Sequence, residues 1–185
     1  MAASHPERWV FGYGSLMWRP GFAFTERLPA TLHGRHRGFC IYSVHHRGTH
    51  ERRGLVLGLA PGGSTRGIAY RVEEAMWAET YLYLKEREQP TETYVESSVE
   101  VRLADGRRVP ALSYLPDRKH TQWAGDLSLE TQAELIAHAT GLSGRNIDYL
   151  RDLVLHLRAE GIHDREMEQL LKMADKLHHH AGSSE

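Results

Sequence analysis

Two features of this sequence could carry chemistry: a glycine-bracketed turn near the N-terminus and a glutamate near the end of a predicted helix. The turn is Val10-Phe11-Gly12-Tyr13-Gly14-Ser15-Leu16, in which an apolar strand runs directly into two glycines around a tyrosine. Glycine permits backbone conformations closed to other residues and lets a ligand approach closely. The turn could therefore present backbone N–H groups to an anion or a developing oxyanion. It lacks the P-loop lysine and the dinucleotide-binding spacing, and it could also be simply a turn.

The glutamate is Glu88, and its angular position on the predicted helix sets it apart. Trp77, Tyr81 and Leu84 fall at i, i+4 and i+7 and form an apolar stripe. At roughly 100° per residue, Glu88 lies about 20° from Trp77 around the helix axis. Glu86 lies about 180° away, where a surface glutamate belongs. The pattern therefore predicts that Glu88 shares the core-facing side and that Glu86 is solvated.

A carboxylate on a core-facing side is costly unless it is paired, hydrogen-bonded or neutralised. Pro90 disfavours helix at Gln89, so Glu88 is expected in the last helical turn. Partial desolvation and the negative end of the helix dipole would both raise its pKa, which suits a general base and acid. The alternative is a glutamate that reaches water at a fraying end or pairs with neighbouring Arg87.

Composition narrows the class of protein. Among 185 residues, 23 are Lys or Arg and 24 are Asp or Glu, so nothing indicates nucleic acid or an acidic membrane as a partner. The sequence has no run of 18 apolar residues and no signal-peptide pattern. The single cysteine, Cys40, is expected to be inert core and is compatible with a reducing compartment. The 13 histidines show no metal-ligand spacing, so we predict a soluble cytoplasmic protein without a metal site.

Strands come first along the chain and helices later, which argues for an α+β domain. The predicted strands are residues 9–11, 39–44, 55–60, 67–72, 94–103 and 109–115, the last two joined at Asp105-Gly106. The predicted helices cover residues 73–88, 129–139, 147–157 and 167–177. We expect a flexible leader over residues 1–8, one domain over residues 9–177 and a polar tail over residues 178–185.

The charged loop at residues 46–54 leaves two interpretations open. It is either a solvated loop or a place where Arg47, Arg52 or Arg53 attracts a carboxylate-bearing ligand.

Together these pieces resemble the γ-glutamylcyclotransferases, specifically the ChaC family that acts on glutathione. The Gly-Tyr-Gly-Ser-Leu turn is shared by the wider superfamily, whereas the late Ser-Gly-Arg-Asn block points to ChaC. The matching blocks span about residues 8 to 160 and are Trp9 to Leu16 with Trp18, His46-Arg47-Gly48, Gly67-Ile68-Ala69-Tyr70-Arg71, Tyr81-Leu82, Arg87-Glu88, Tyr94, Ser143-Gly144-Arg145-Asn146 and Tyr149-Leu150.

The resemblance implies a small mixed β-barrel with helices packed around it. It also implies that glutathione is converted to 5-oxoproline and cysteinylglycine without a metal or organic cofactor. Glu88 matches the family's catalytic glutamate, and the γ-glutamyl group is expected against the turn. The candidate substrate contacts are Gly12, Tyr13, Gly14, Ser15, Leu16, Met17, Arg47 and Tyr94.

Several of these assignments keep an alternative. Arg37 is a second candidate for a substrate carboxylate, although both it and Arg47 could be ordinary surface arginines. Tyr94 could instead serve only to pack its strand against the core, and residues 143–146 could serve only as a cap for the following helix. The enzyme could act on another γ-glutamyl amine, or the chain could be a non-catalytic γ-glutamyl-binding regulatory protein. The sequence leaves the oligomeric state open.

Overall fold

A computed structural model describes residues 7–89 and 92–181 of the chain. These residues form two compact units. The first unit contains residues 7–37 and 61–120, and the second contains residues 38–60 and 121–181. No helix in the described ranges is long and apolar enough to cross a membrane.

The helices and strands follow the predicted order. The strands are β1 (Arg8–Gly12), β2 (Glu26–Ser43), β3 (Gly54–Val72), β4 (Tyr94–Leu103), β5 (Arg108–Pro116), β6 (Thr140–Gly141) and β7 (Gly144–Arg145). The α-helices are α1 (Glu74–Glu88), α2 (Leu129–His138), α3 (Asn146–Ala159) and α4 (Arg165–Ala181). A 3-10 helix at Ser15–Met17 follows β1 directly.

Five strands close into a mixed barrel in the order β1-β3-β2-β4-β5. Strand β1 runs antiparallel to β3 and parallel to β5, and β4 runs antiparallel to both β2 and β5. Closure leaves no long open edge among these strands. This barrel with four helices in the described residues confirms the predicted fold class.

The β4–β5 hairpin forms where its turn signal predicts. Gly106 takes a φ of 94°, which glycine adopts without steric cost. The backbone N–H of Arg107 donates to Asp105 Oδ1 at 3.0 Å. The strands then pair from Arg102 opposite Arg108 to Tyr94 opposite Pro116, so the hairpin register is fixed along its whole length.

The long strands differ from the prediction. The predicted strands at 55–60 and 67–72 belong to one strand, β3, because residues 61–66 continue the extended chain despite two glycines with positive φ. The buried Thr65 hydroxyl donates to the Arg35 carbonyl at 2.9 Å within this stretch. Strand β2 starts at Glu26, well before the predicted 39–44. The prediction missed its first half because that half is polar and lacks an apolar run. Sequence patterning therefore found the buried parts of both strands and missed the exposed parts.

Regular secondary structure extends past both predicted ends of the domain. Arg8 lies in β1 and pairs with Glu74 at 2.8 Å, so the strand begins inside the predicted leader, while residues 1–6 lie outside the described ranges. Helix α4 continues to Ala181, into the predicted tail. Within the second unit, His178 Nδ1 lies 3.0 Å from the Ala137 carbonyl oxygen.

Asn146 is not a helix cap, contrary to that interpretation of residues 143–146. The N-cap of α3 is Arg145, without a side-chain hydrogen bond to the helix. The fully buried Asn146 amide instead pairs with the main chain of Leu55, accepting from its N–H at 2.7 Å and donating to its carbonyl at 2.8 Å. The Ser143 hydroxyl lies 2.9 Å from His46 Nδ1 on the surface. Asn146, the last residue of the Ser-Gly-Arg-Asn block, therefore braces β3 within the second unit.

Replacing Asn146→Ala should destabilise the protein by about 2–4 kcal/mol, because both backbone groups of Leu55 lose their buried partner. The free energy of unfolding in urea measures the effect. The control is Ser143→Ala, which removes a surface hydrogen bond and should change stability by about 0.5 kcal/mol or less. Equal effects from the two substitutions would contradict the bracing role of Asn146.

Candidate active site

Helix α1 presents Glu88 on the face predicted from its spacing. Leu84 on the same face is fully buried and Trp77 is half-buried against the same core cluster. The Glu88 side chain is 22% exposed, whereas Glu86 lies on the exposed side. The helix ends at Glu88, with Gln89 as its C-cap, as predicted from Pro90. The helical phase that distinguishes Glu88 from Glu86 is confirmed.

Burial dominates the electrostatics of Glu88. Desolvation raises the pKa of its carboxyl above the ordinary value, because burial penalises the charged form. Arg87 opposes this shift, since its Nε lies 3.2 Å from Glu88 Oε1. The net direction is upward. A carboxyl poised above its usual pKa can accept a proton near neutral pH and return it readily.

Arg87 ties the end of α1 to the glycine turn. Its Nη2 donates to Ser15 Oγ at 2.9 Å, and its Nη1 donates to the Tyr83 hydroxyl at 3.0 Å. Nη1 also donates to the carbonyls of Arg19 and Pro20, just beyond the turn. The sequence offered Arg87 only as a charge partner for Glu88; the structure shows that it also fixes the turn beside that carboxylate.

The turn needs glycine at position 12 for close packing of the chain on itself. A Cβ at Gly12 would lie 2.8 Å from Leu16 Cβ, closer than real Cβ contacts allow, and a tight 3.3 Å from the Met17 nitrogen. Neither Gly12 nor Gly14 has a positive φ, so left-handed backbone is not the reason for these glycines. The sequence predicted that a ligand could approach the main chain closely at this turn. In the structure, the group in close contact with Gly12 is the protein's own 3-10 helix.

Within this 3-10 helix the N–H of Met17 donates to the Gly14 carbonyl at 2.9 Å. The first N–H groups of a helix have no partner inside it, and here they belong to Ser15 and Leu16. The side chains of Leu16 and Met17 are buried in the core. A ligand at the turn would therefore meet main-chain atoms of these two residues rather than their side chains.

Buried side chains hold the turn from below. The Tyr70 hydroxyl lies 2.9 Å from the Leu16 carbonyl oxygen and 2.7 Å from that of Met17. Arg37 is only 3% exposed, and its Nε donates to the Tyr13 carbonyl at 2.8 Å. Its Nη2 donates to the Arg66 carbonyl at 2.6 Å. The interpretation of Arg37 as an ordinary surface arginine is wrong, because its guanidinium is buried and holds the backbone. Its role as a carboxylate ligand stays a prediction.

Three other predicted contacts have distinct positions. Tyr13 donates from its hydroxyl to the Tyr114 carbonyl at 2.7 Å, which ties the turn to the end of β5. Tyr94 opens β4 and is half-buried against the core cluster that contains Leu84. Arg47 belongs to the second unit, where its guanidinium lies 5.3 Å from the Tyr149 ring centroid. Its role as a substrate contact stays a prediction.

Cys40 is core, as the sequence indicated. It is 3% exposed, and burial raises the pKa of its thiol to about 12. The thiol is protonated at neutral pH and is not a nucleophile.

Tyr114 and Glu96 are polar residues beside Glu88 that the sequence analysis did not select. They lie opposite each other in the β4–β5 register, so their side chains share one face of the hairpin. Tyr81, from the Glu88 face of α1, donates its hydroxyl to Glu96 Oε2 at 2.7 Å. The sequence did contain a signal for this pairing. The Asp105-Gly106 turn fixes the hairpin register, and that register places Glu96 opposite Tyr114. In the structure, Tyr114 packs in one cluster with Leu84 of α1.

The fold defines the class of protein. The chain matches the crystal structure of a glutathione-specific γ-glutamyl cyclotransferase from yeast with a TM-score of 0.83 and 26% sequence identity. That match covers 95% of this chain and 99% of the yeast chain. The fold is thus that of the γ-glutamylcyclotransferases.

The sequence comparisons give the family. A family model described as ChaC-like protein matches residues 8–177, and this chain belongs to the ChaC family of γ-glutamylcyclotransferase enzymes. The glutathione-specific γ-glutamylcyclotransferase of Escherichia coli (strain K12) is 39% identical over 169 residues, covering 91% of this chain and 73% of the relative. The Schizosaccharomyces pombe enzyme of the same description is 32% identical over 184 residues, covering 86% of this chain and 90% of the relative.

The raised pKa of Glu88 predicts a pH-dependent gain in stability for Glu88→Gln. The neutral carboxyl favours folding below the unfolded pKa of about 4.3, and that advantage is lost as the pH rises through the raised folded pKa. Glutamine stays neutral throughout. Glu88→Gln should therefore melt a few degrees above wild type at pH 8, and the difference should shrink toward pH 4. Thermal melts of both proteins across this range measure it.

The matched control for this prediction is Glu86→Gln, two residues away on the exposed side of the helix. It should leave the melting temperature nearly unchanged at both pH values. A constant difference between Glu88→Gln and wild type across the pH range would refute the desolvation of Glu88.

Proposed function

We propose that this protein is a glutathione-specific γ-glutamylcyclotransferase in which Glu88 is the general base and acid. One observation carries the proposal: a half-buried carboxyl with a raised pKa is held next to the glycine turn by Arg87. A protein that only bound γ-glutamyl groups would have no need to keep a proton-accepting group at this desolvation penalty. The substrate, glutathione, is inferred from the E. coli and yeast relatives, which are glutathione-specific γ-glutamylcyclotransferases.

The first step is removal of a proton from the substrate. The α-amino group of glutathione is mostly ammonium at neutral pH, since such groups have a pKa of about 8. The ionised Glu88 carboxylate takes one proton and frees the amine. The amine nitrogen then forms a bond to the γ-carbonyl carbon and closes a five-membered ring. Because nucleophile and electrophile belong to one molecule, holding them in contact lowers the barrier, by up to about 7–11 kcal/mol in the best cases.

The second step breaks the original amide bond. As the carbon–nitrogen bond to cysteinylglycine breaks, the departing nitrogen receives a proton from Glu88. The ring nitrogen loses its second proton as the lactam forms, and that proton follows the same route. The two protons lost by the substrate ammonium thus end on the departing amine, which leaves as ammonium. No water enters the reaction, so the products are 5-oxoproline and cysteinylglycine.

In this mechanism the turn stabilises the oxyanion that forms on the γ-carbonyl oxygen, through hydrogen bonds from main-chain N–H groups. The N–H groups of Ser15 and Leu16 begin the 3-10 helix and are the donors best suited to this oxygen. Each donor to an oxyanion is worth roughly 3 kcal/mol in barrier lowering. The contacts from Tyr70 and Arg37 fix the carbonyls of the same turn, so the donors are held in place before substrate arrives. Tyr94 and Arg47 are proposed as further contacts, and the reducing cytoplasm as the place of action.

Glu88→Gln should lower the rate of 5-oxoproline formation at least a hundredfold, because the amide has the shape of the carboxyl without its basicity. Binding of a glutathione analogue that cannot cyclise, measured by calorimetry, should persist. Glu86→Gln is the matched control and should retain activity within about twofold. If Glu86→Gln is inactive while Glu88→Gln is active, the assignment of the base is wrong.

The leaving amine is tested with three substrates that share the γ-glutamyl group. Glutathione, γ-glutamyl-alanine and γ-glutamyl-lysine are each incubated with the enzyme, and 5-oxoproline is quantified. We expect glutathione to be turned over with the highest kcat/KM. Turnover of the other two without glutathione would retain the ring closure and overturn the glutathione assignment. No 5-oxoproline from any of them, with binding intact, would support a regulatory binding protein instead.

A further inference from the structure

The Tyr114 hydroxyl is a buried polar group without a hydrogen-bond partner among the described residues. Tyr114 is only 2% exposed, and its Oη has no hydrogen-bond partner in the described part of the chain. Tyr70 shows the usual arrangement in this unit, since its equally buried hydroxyl lies within hydrogen-bond distance of two carbonyl oxygens. Buried hydroxyls are almost always satisfied, because an unsatisfied one is costly to keep. An exception beside a candidate active site requires an explanation.

The surroundings of this hydroxyl connect it to the site. Tyr114 packs in one cluster with Leu16 of the turn and Leu84 of α1, which is one helical turn before Glu88. Its main-chain carbonyl accepts the hydrogen bond from Tyr13, so its backbone is fixed to the turn as well. The Tyr81–Glu96 pair lies across the hairpin from it. Tyr114 is therefore held by the same two elements that carry the proposed oxyanion donors and the proposed base.

Burial keeps this hydroxyl protonated. It raises the pKa of Tyr114, and the nearby Glu96, Tyr81 and Glu88 raise it further. A protonated phenol can both donate and accept a hydrogen bond. The Tyr81 hydroxyl already donates to Glu96, whereas Tyr114 retains both capacities for a ligand.

We propose that the Tyr114 hydroxyl is a substrate-binding group that hydrogen-bonds the amino-acid head of the γ-glutamyl moiety beside Glu88. This inference rests on the proposed function. The head carries an α-ammonium donor and an α-carboxylate acceptor, and either one satisfies the hydroxyl. The head is favoured over the departing cysteinylglycine, because Glu88 must reach the α-amino nitrogen and Tyr114 lies in one cluster with Leu84, one helical turn before Glu88.

Tyr114→Phe tests the proposal, because stability and activity should move in opposite directions. Removing a hydroxyl that has no partner in the free enzyme should keep or raise the melting temperature. The loss of its bond to a charged head should lower kcat/KM for glutathione by about 10–100-fold, chiefly through KM. The inhibition constant of 5-oxoproline should rise as well, since this product retains the cyclised head and lacks the leaving group.

The control for stability is Tyr70→Phe, which removes a satisfied buried hydroxyl and should lower the melting temperature. Three results would overturn the proposal. The first is unchanged kcat/KM in Tyr114→Phe, which would make the hydroxyl a packing defect. The second is a fall in melting temperature comparable to that of Tyr70→Phe, which would make it structural. The third is a raised KM with unchanged inhibition by 5-oxoproline, which would place the contact on the leaving group.

Failure of the proposed function gives a different result. In that case wild-type enzyme forms no 5-oxoproline from glutathione. Calorimetric titration of wild type and Tyr114→Phe with glutathione then decides the inference by itself: weaker binding to the variant supports the contact, and equal binding or no binding to either protein refutes it.

Discussion

The position of the Glu88 carboxylate is the constraint on which the site depends. A carboxyl group moved out of water favours its neutral form, and the fold opposes that tendency only in part, through the guanidinium of Arg87. The balance is useful because Arg87 is itself anchored by four other groups around the turn. The arginine cannot move fully onto the carboxylate without giving up those bonds. Glu88 is therefore paired well enough to remain in place and too weakly to lose its basicity.

The turn beside Glu88 must also stay in place, and two buried polar side chains hold it there. A 3-10 helix of three residues has little stability of its own, because its few hydrogen bonds have poor geometry. Its carbonyls are instead held by Tyr70 and Arg37, side chains that come from β3 and β2 of the barrel. The close packing required at Gly12 then fixes where the strand ends and the helix starts. The donors of the turn are preorganised by the barrel and not by the turn itself.

Much of this arrangement could be predicted from the sequence, where a local pattern determined it. Helix α1 and the side of Glu88 follow from a period of 3.6 residues, and the hairpin follows from Asp105-Gly106. The family resemblance supplied the barrel and the match of Glu88 to a catalytic residue. What escaped prediction depends on contacts between distant segments. Arg37 looks like any surface arginine until β2 and β3 bury it, and Asn146 looks like a cap until Leu55 lies against it. Tyr114 looks like alternating strand packing, and only the missing partner of its hydroxyl distinguishes it.

The site also shows why stability and function oppose each other in this fold. A carboxyl at 22% exposure and a buried hydroxyl without a hydrogen-bond partner among the described residues both lower the stability of the free protein. Each is the kind of group that a ligand with an ammonium and a carboxylate would satisfy. Stable packing alone would have favoured glutamine at 88 and phenylalanine at 114, with the same shapes and no penalty. The proposed roles explain the two residues together: in the proposed site the polar groups of the substrate would complete the surroundings of both side chains, and binding energy would be directed to the end of the substrate at which the ring closes.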